Sequence, residues 1–265
     1  MASERIMGTT NIKMDPTKRF STRAQYYNKY RPKYPRAIIK LLGAECGLSS
    51  SSIIADIGSG TGILSRLFLK NDNIVFGVEP NKEMRKIAEK LLKDYSNFKS
   101  VNGAAESTNL KGQSEDFITS GQAFHWFNTN KSRKEFSRIL KPNGWAVLIW
   151  NDRKTDTTPF LKAYDSLLYK YGIDYKEVYQ QIPNERLFTE FFGHNSFKLK
   201  IFHNFQVFNY ESLKGRALSS SYAPMKGHPN YEPMMDELRR IFIEFQSDGK
   251  VRFDYDTKVY YGQFK

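Results

Sequence analysis

Asp56, Gly58, Gly60, Gly62 and Glu79 are the residues whose types and spacing point most directly to chemistry. Ile53-Ile54-Ala55-Asp56-Ile57 is an apolar, β-branched run, and three glycines spaced two apart follow it before a helical pattern begins. A buried strand, a tight turn and a helix N-terminus, in that order, form the usual cradle of a nucleotide-like ligand in an α/β fold. Dinucleotide loops space their glycines G-x-G-x-x-G. Counted from Gly58 and Gly60 the third would fall on Ile63, and here it comes one residue early, at Gly62. No Gly-Lys-Ser/Thr follows, so the loop is not a P-loop. Asp56, two residues before Gly58, repels a pyrophosphate and attracts a cation. Glu79 closes a second apolar run, Ile74-Val75-Phe76-Gly77-Val78. A carboxylate at the end of a second strand can accept hydrogen bonds from both hydroxyls of a ribose.

S-adenosylmethionine carries a ribose, a sulfonium and an ammonium, and no phosphate, so it suits such a loop better than a redox dinucleotide. Asp56 to Gly62 (D-I-G-S-G-T-G) resembles the first motif of the class I S-adenosylmethionine-dependent methyltransferases, and Val78-Glu79-Pro80-Asn81 with Met84 resembles their second. The likeness is close over residues 20–150 and loose beyond. Val101 to Glu106 is similar to the family's adenine-side segment, with Ala104 where many relatives carry an Asp for the adenine amino group and Glu106 as its substitute. The His125-Trp126 pair after the fourth strand, with Tyr30-Arg31-Pro32-Lys33-Tyr34-Pro35, resembles the small-molecule branch that includes trans-aconitate methyltransferases. The resemblance implies cofactor contacts at Tyr30, Arg31, Asp56, Gly58, Ser59, Gly60, Gly62, Glu79, Pro80, Met84, Ala105, Glu106 and Gln122. It implies acceptor contacts at Tyr34, His125 and Trp126. The segment around Tyr30 would fold over the methionine end, with Arg31 on the cofactor carboxylate or simply exposed in a proline-rich turn.

Methyl transfer from a sulfonium is an in-line displacement by a donor that is already activated, so the protein mainly positions the acceptor and excludes water. A hydroxyl or amine acceptor needs a base and a carboxylate does not. His125 is the candidate base, with a positioning role as its alternative. Trp126 and Phe127 either wall the sulfonium and acceptor or fill the core. Ser219-Ser220-Ser221-Tyr222 and His228 read first as serines at a helix end and a loop histidine, with groups, among them Tyr222, for an oxygen-rich acceptor as the alternative; Arg153 and Arg216 could meet an acidic acceptor, though no spacing requires it. Ser120-Gly121-Gln122-Ala123 stands where base-amine methyltransferases place Asp/Asn-Pro-Pro-aromatic, which argues against an exocyclic amine of a nucleic-acid base. Cys46, the single cysteine, is in the wrong region to serve as a cytosine nucleophile, and it permits neither an internal disulfide nor a cysteine-built metal site. No metal is expected.

The elements that must hold these residues alternate. Helical patterns at 35–45, 63–70, 80–93 and 130–140 separate strands near 53–57, 74–78, 116–120 and 145–150. That order predicts an α/β, Rossmann-like, mostly parallel seven-stranded sheet with helices on both faces and the last strand antiparallel. After Asn151 the alternation breaks. Helices are expected at 160–171, 184–192, 211–220 and 231–246, a long strand at 197–210, and two short strands at 251–255 and 257–264. Residues 1–20 then read as a flexible tail. Residues 21–265 form one methyltransferase domain, its core about 35–150 plus 196–209 and 251–265, its helical cap from insertions at about 151–195 and 210–250.

The chain has 265 residues and a net charge of +13, with 40% hydrophobic residues. The apolar runs are too short for a transmembrane helix, and Met1 to Thr10 lacks a signal-peptide core. A cytoplasmic enzyme is expected, acting on a small molecule by O-methylation of a hydroxyl or carboxylate. An RNA methyltransferase, which the charge favours, and a non-catalytic S-adenosylmethionine-binding protein are the alternatives. The basic residues are spread along helices and strands, apart from Lys18-Arg19, Arg23, Lys29, Arg31, Lys33 and Arg36, and nothing in them fixes an oligomeric state.

Overall fold

The computed structural model describes residues 28–180, 185–194 and 196–264; the expected tail, residues 1–20, and Arg23 lie outside them. The strands are β1 (Ile53–Ile57), β2 (Ile74–Val78), β3 (Phe98–Val101), β4 (Glu115–Gly121), β5 (Leu140–Arg153), β6 (Phe197–Phe208) and β7 (Val251–Gly262). The helices are α1 (Ala37–Cys46), α2 (Ser65–Leu69), α3 (Lys82–Leu91), α4 (Thr129–Ile139), α5 (Pro159–Tyr171), α6 (Tyr175–Gln180), α7 (Glu185–Phe192), α8 (Tyr210–Leu218) and α9 (Tyr231–Phe245).

The strands form one sheet in the order β3-β2-β1-β4-β5-β7-β6. β1 to β5 are mutually parallel, and β7 runs antiparallel to β5 and β6. This is the Rossmann-like sheet with an antiparallel last strand that the alternation predicts. Short β-branched runs become strands buried on both faces because helices cover each side. Ile54, Val75 and Val147 face Ile38, Leu42 and Phe68 on one side. Ala55, Ile57 and Ile118 face Phe124, Phe136 and Phe191 on the other. Helix starts are marked by side-chain caps: Asn81 accepts from Met84 N–H at 3.0 Å, Asn128 from Lys131 N–H at 3.1 Å and Thr158 from Leu161 N–H at 3.2 Å. α3 buries Met84 and Ala88, with Leu92 just beyond it, while Leu91 is 39% exposed.

Three late elements differ from expectation. The two short strands at 251–255 and 257–264 are one strand, β7. Asp254 and Asp256 suggest a break, yet both point to the half-exposed side of an unbroken alternation, Asp254 against Arg252 and Asp256 against Lys154. The 151–195 segment divides between two cores. α5 joins α8, α9 and the first half of β7 in a separate cap core around Tyr164, Leu168, Leu213, Leu238 and Phe253. α7 packs Phe188, Phe191 and Phe192 on the sheet beside Phe124 and Phe136, because three phenylalanines in eight residues are enough to cover the α4 side of the sheet. α6 is an additional short helix; its sequence, YKEVYQ, is too short and polar to show a helical period.

Candidate active site

β1 is flanked by β2 on one side and β4 on the other, so the connections leave in opposite directions there and open a crevice beyond the strands' carboxyl ends. Asp56, Glu79, Gly121, Gln122 and Asn151 all stand at those ends. Two adjoining clefts share Gly58, Gly60, Gly121 and Gln122 as a common wall. The first is lined also by Arg31, Tyr34, Asp56, Ser59, Thr61 and Asn151. The second is lined also by Glu79, Pro80, Met84, Ala105, Glu106, Trp126 and Phe127.

The loop is a backbone device. Gly58, Gly60 and Gly62 have φ of 68°, 55° and 81°, a region that β-carbons disfavour. A Cβ on Gly58 would lie 2.6 Å from the Cβ of Ala123, whereas one on Gly60 would meet nothing within 4 Å, because Gly60 faces the cleft. Gly62 makes room for the Leu92 side chain instead, and it opens onto a separate groove lined by Lys29, Lys33, Arg36 and Arg66. The N–H groups of Gly58 and Ser59 donate to Val78 O at 2.8 and 3.1 Å, which ties the loop to β2.

Two carboxylates lie under this loop. Asp56 is buried and accepts from Ser65 Oγ at 2.6 Å and from Thr119 Oγ1 at 3.3 Å. Burial pushes its carboxyl up to about 7, against the pull of those hydroxyls and with a further push from the Glu79 charge. Glu79 accepts from Gly60 N–H at 3.0 Å on one oxygen and from Asn81 N–H at 2.9 Å on the other. Its carboxyl is raised by burial, opposed by those two N–H groups and by Arg85. A carboxylate oxygen accepts more than one hydrogen bond, so both Glu79 oxygens retain capacity toward the cleft. These carboxylate acceptors therefore suit vicinal hydroxyls and a cation, while the described lining places no lysine against the loop's cleft face.

The remaining candidate residues divide. Tyr34 seats its hydroxyl over Gly121. Arg31 reaches from the first cleft to Ser219 O at 3.0 Å. Glu106 takes Asn128 N–H at 2.6 Å, which fixes the segment 101–106 to the start of α4. Gln122, at φ 58°, exchanges hydrogen bonds with the Asn151 backbone. Phe127 lines the cleft and also meets Phe124 and Phe136 edge-on behind it, at 5.9 and 6.3 Å. Tyr30, His125 and Tyr222 are not among the lining residues of these two clefts. Tyr30 packs on Gly215 of α8, where the missing Cβ seats its ring. His125 stands on the 3₁₀ turn Phe124–Trp126, its ring 4.5 Å from Trp126 and 6.1 Å from Trp150. Tyr222 belongs to the cap, its ring 4.8 Å from Tyr175. His228 accepts Asn230 N–H at 3.1 Å and shapes its loop. Asn151 is a lining residue that motif reasoning misses; its only signal is that it is the first polar residue after the apolar Trp145–Trp150 run. Among the described residues no group of three His, Cys, Asp or Glu could hold a metal, and no helix is long and apolar enough to cross a membrane.

Comparison with known proteins agrees with this geometry. A family model described as a methyltransferase domain matches residues 55–148, from within β1 into β5. An uncharacterized methyltransferase of Schizosaccharomyces pombe is 28% identical over 247 residues, covering 91% of this chain and 95% of the relative. A second S. pombe protein, described as methyltransferase-like, is 33% identical over 158 residues, covering 59% of this chain and 60% of its own length. In fold, the chain is similar to a phosphoethanolamine N-methyltransferase of Haemonchus contortus in complex with S-adenosylhomocysteine, with a TM-score of 0.55, 14% identity, and coverage of 92% of this chain and 57% of that one.

Proposed function

The chain belongs to the S-adenosylmethionine-dependent methyltransferases, and from that premise we propose that it methylates a small-molecule acceptor held between the glycine loop and the cap. The observation that carries this reading is the pairing of two partly protected carboxylates, Asp56 and Glu79, with an open glycine at φ 55° between two adjoining clefts. S-adenosylmethionine supplies a methyl group on a positively charged sulfur. Glu79 would hold the ribose hydroxyls, Asp56 would face the cationic end, and Arg31 would take the carboxylate of the same moiety. Met84, Ala105 and Glu106 would flank the adenine. Tyr34, Trp126 and Phe127 would exclude water and align the acceptor for in-line displacement. An acceptor oxygen forms its bond to the methyl carbon as the carbon–sulfur bond breaks, and the electron pair goes to sulfur. His125, one residue from the cleft wall, would take the proton of a hydroxyl acceptor, whereas a carboxylate acceptor has none to lose. O-methylation of a hydroxyl or carboxylate is the preferred chemistry. The aromatic cap favours a small ligand over a polynucleotide, since the groups that would meet it are buried under α5, α8 and α9.

The test is calorimetric titration with S-adenosylhomocysteine, with NADH as control, followed by transfer of a tritiated methyl group to panels of small hydroxy compounds, small acids and RNA. Micromolar binding of S-adenosylhomocysteine alone, and label on a small molecule, are expected. Mild base should release the label as methanol if the product is an ester. NADH binding, or label on RNA alone, would overturn the reading.

A further inference from the structure

The cap holds a second polar centre that the methyl-donor site does not use. Arg153, at the end of β5, and Arg216, in α8, both lie over the ring of Phe253, each guanidinium 5.9 Å from its centroid. Both are nearly inaccessible, at 9% for the Arg153 side chain and 4% for Arg216. Asp165 is the carboxylate that meets Arg153. It accepts from Arg153 Nη2 at 2.6 Å and from Tyr175 OH at 2.6 Å. Arg216 has only neutral oxygens in the described contacts: Ser220 Oγ at 3.1 Å and Tyr255 OH at 3.4 Å. Nη1 of Arg153 and the hydroxyl of Tyr164 are buried with no hydrogen-bond partner among the described residues.

A buried guanidinium facing neutral oxygens is costly unless an anion completes it, and native interiors rarely leave such donors unmet. The planar donor fork of arginine suits an oxyanion. Tyr222 senses the excess charge. Burial alone would raise its phenol, yet Arg216, Arg153 and Arg31 together hold it below its usual value. Arg31 also connects the two centres. It lines the glycine-loop cleft and donates to the carbonyl of Ser219, next to the Ser220 that meets Arg216.

We propose that Arg153 and Arg216, with the hydroxyls of Tyr164 and Tyr222, form the subsite that holds an oxyanion of the methyl acceptor, a carboxylate or a phosphate group. This rests on the methyltransferase reading above and narrows its acceptor to an anionic small molecule. The acceptor's charged group would sit in the cap, and its reacting atom would point past Arg31 toward the loop.

The experiment titrates the full chain, already loaded with S-adenosylhomocysteine, with citrate, with inorganic phosphate and with neutral glycerol. Saturable binding of citrate, phosphate or both, and none of glycerol, is expected; the anion that binds more tightly identifies the group. Arg216→Gln should weaken that binding about thirtyfold or more, as for truncation of one side of a buried charge contact, and leave S-adenosylhomocysteine affinity unchanged. Tyr222→Phe keeps the ring and should weaken anion binding less, so it serves if Arg216→Gln fails to fold. Absence of anion binding to the loaded protein, or equal binding by a folded Arg216→Gln, overturns the subsite alone. Failure of S-adenosylhomocysteine to bind overturns the functional reading and the subsite's assignment to an acceptor with it.

Discussion

The glycine-loop crevice and the cap core solve the same problem with opposite materials. At the crevice, charge is negative and the loop backbone takes part in holding it: Asp56 and Glu79 lie beneath a loop whose Gly60 N–H donates to Glu79. In the cap, charge is positive and recognition comes from long side chains, Arg153 and Arg216 among tyrosines. Apart from Arg31, Tyr34 and Asn151, the crevice residues named above lie within one stretch, 56 to 127. The cap centre gathers Arg31, Arg153, Arg216 and Tyr255 from across the chain. Local assembly suits a ligand common to a whole family. Assembly from scattered insertions suits the partner that distinguishes one member from another.

The strongest way to break this division lies at its seam. His125→Ala should lower turnover by about 10²–10⁴ while S-adenosylhomocysteine affinity holds; near-normal turnover in a methyl-transfer assay would make His125 a packing residue of the Trp126–Trp150 wall. Gly58→Ala tests whether the crevice depends on backbone form. A β-carbon there meets a positive φ and the Ala123 contact, so urea denaturation should show a loss of about 2–4 kcal/mol, whereas Gly60→Ala, in open space, should lose less. Glu79→Ala should weaken S-adenosylhomocysteine binding by about 1–3 kcal/mol, and calorimetry giving an unchanged affinity would remove its ribose role. A pH dependence sharpens the crevice side further. Asp56, raised to about 7 in the folded chain, holds its proton longer than in the unfolded chain. Its contribution to stability therefore falls as pH rises from about 4 to about 7 and is flat above. Affinity for the cationic S-adenosylmethionine should move the other way, rising as Asp56 ionises, and Asp56→Asn should flatten both profiles.

The sequence makes the crevice legible because its logic is local. A strand, three glycines and a strand-end carboxylate lie within 30 positions, and each has a short-range physical signature. Asn151 escapes because its role depends on Gln122, 29 positions away, and on the pairing of β5 with β4. The cap escapes for a related reason. Arg153 and Arg216 can be named from sequence as basic residues, but only the fold brings both guanidiniums onto Phe253. Gly62 carries the converse lesson. It reads as part of a ligand loop by spacing, and the structure gives it the packing duty of admitting Leu92. The fusion of two expected strands into β7 has a similar origin, since a polar residue inside an alternation marks a face as readily as a break.

The strand order carries a consequence for how this chain is made. β6 hydrogen-bonds only to β7, yet it leaves the ribosome more than 40 positions earlier. Until residues 251–262 emerge, β6 has two open edges, and Leu199, Ile201, Phe205 and Val207 remain unsheltered, as they largely do in the finished fold, where each is 46–53% exposed. The nascent chain therefore passes through an interval in which its most adhesive strand waits for the strand that will separate it from β5. Chaperone demand during synthesis should concentrate in that interval, and release from it should coincide with insertion of β7.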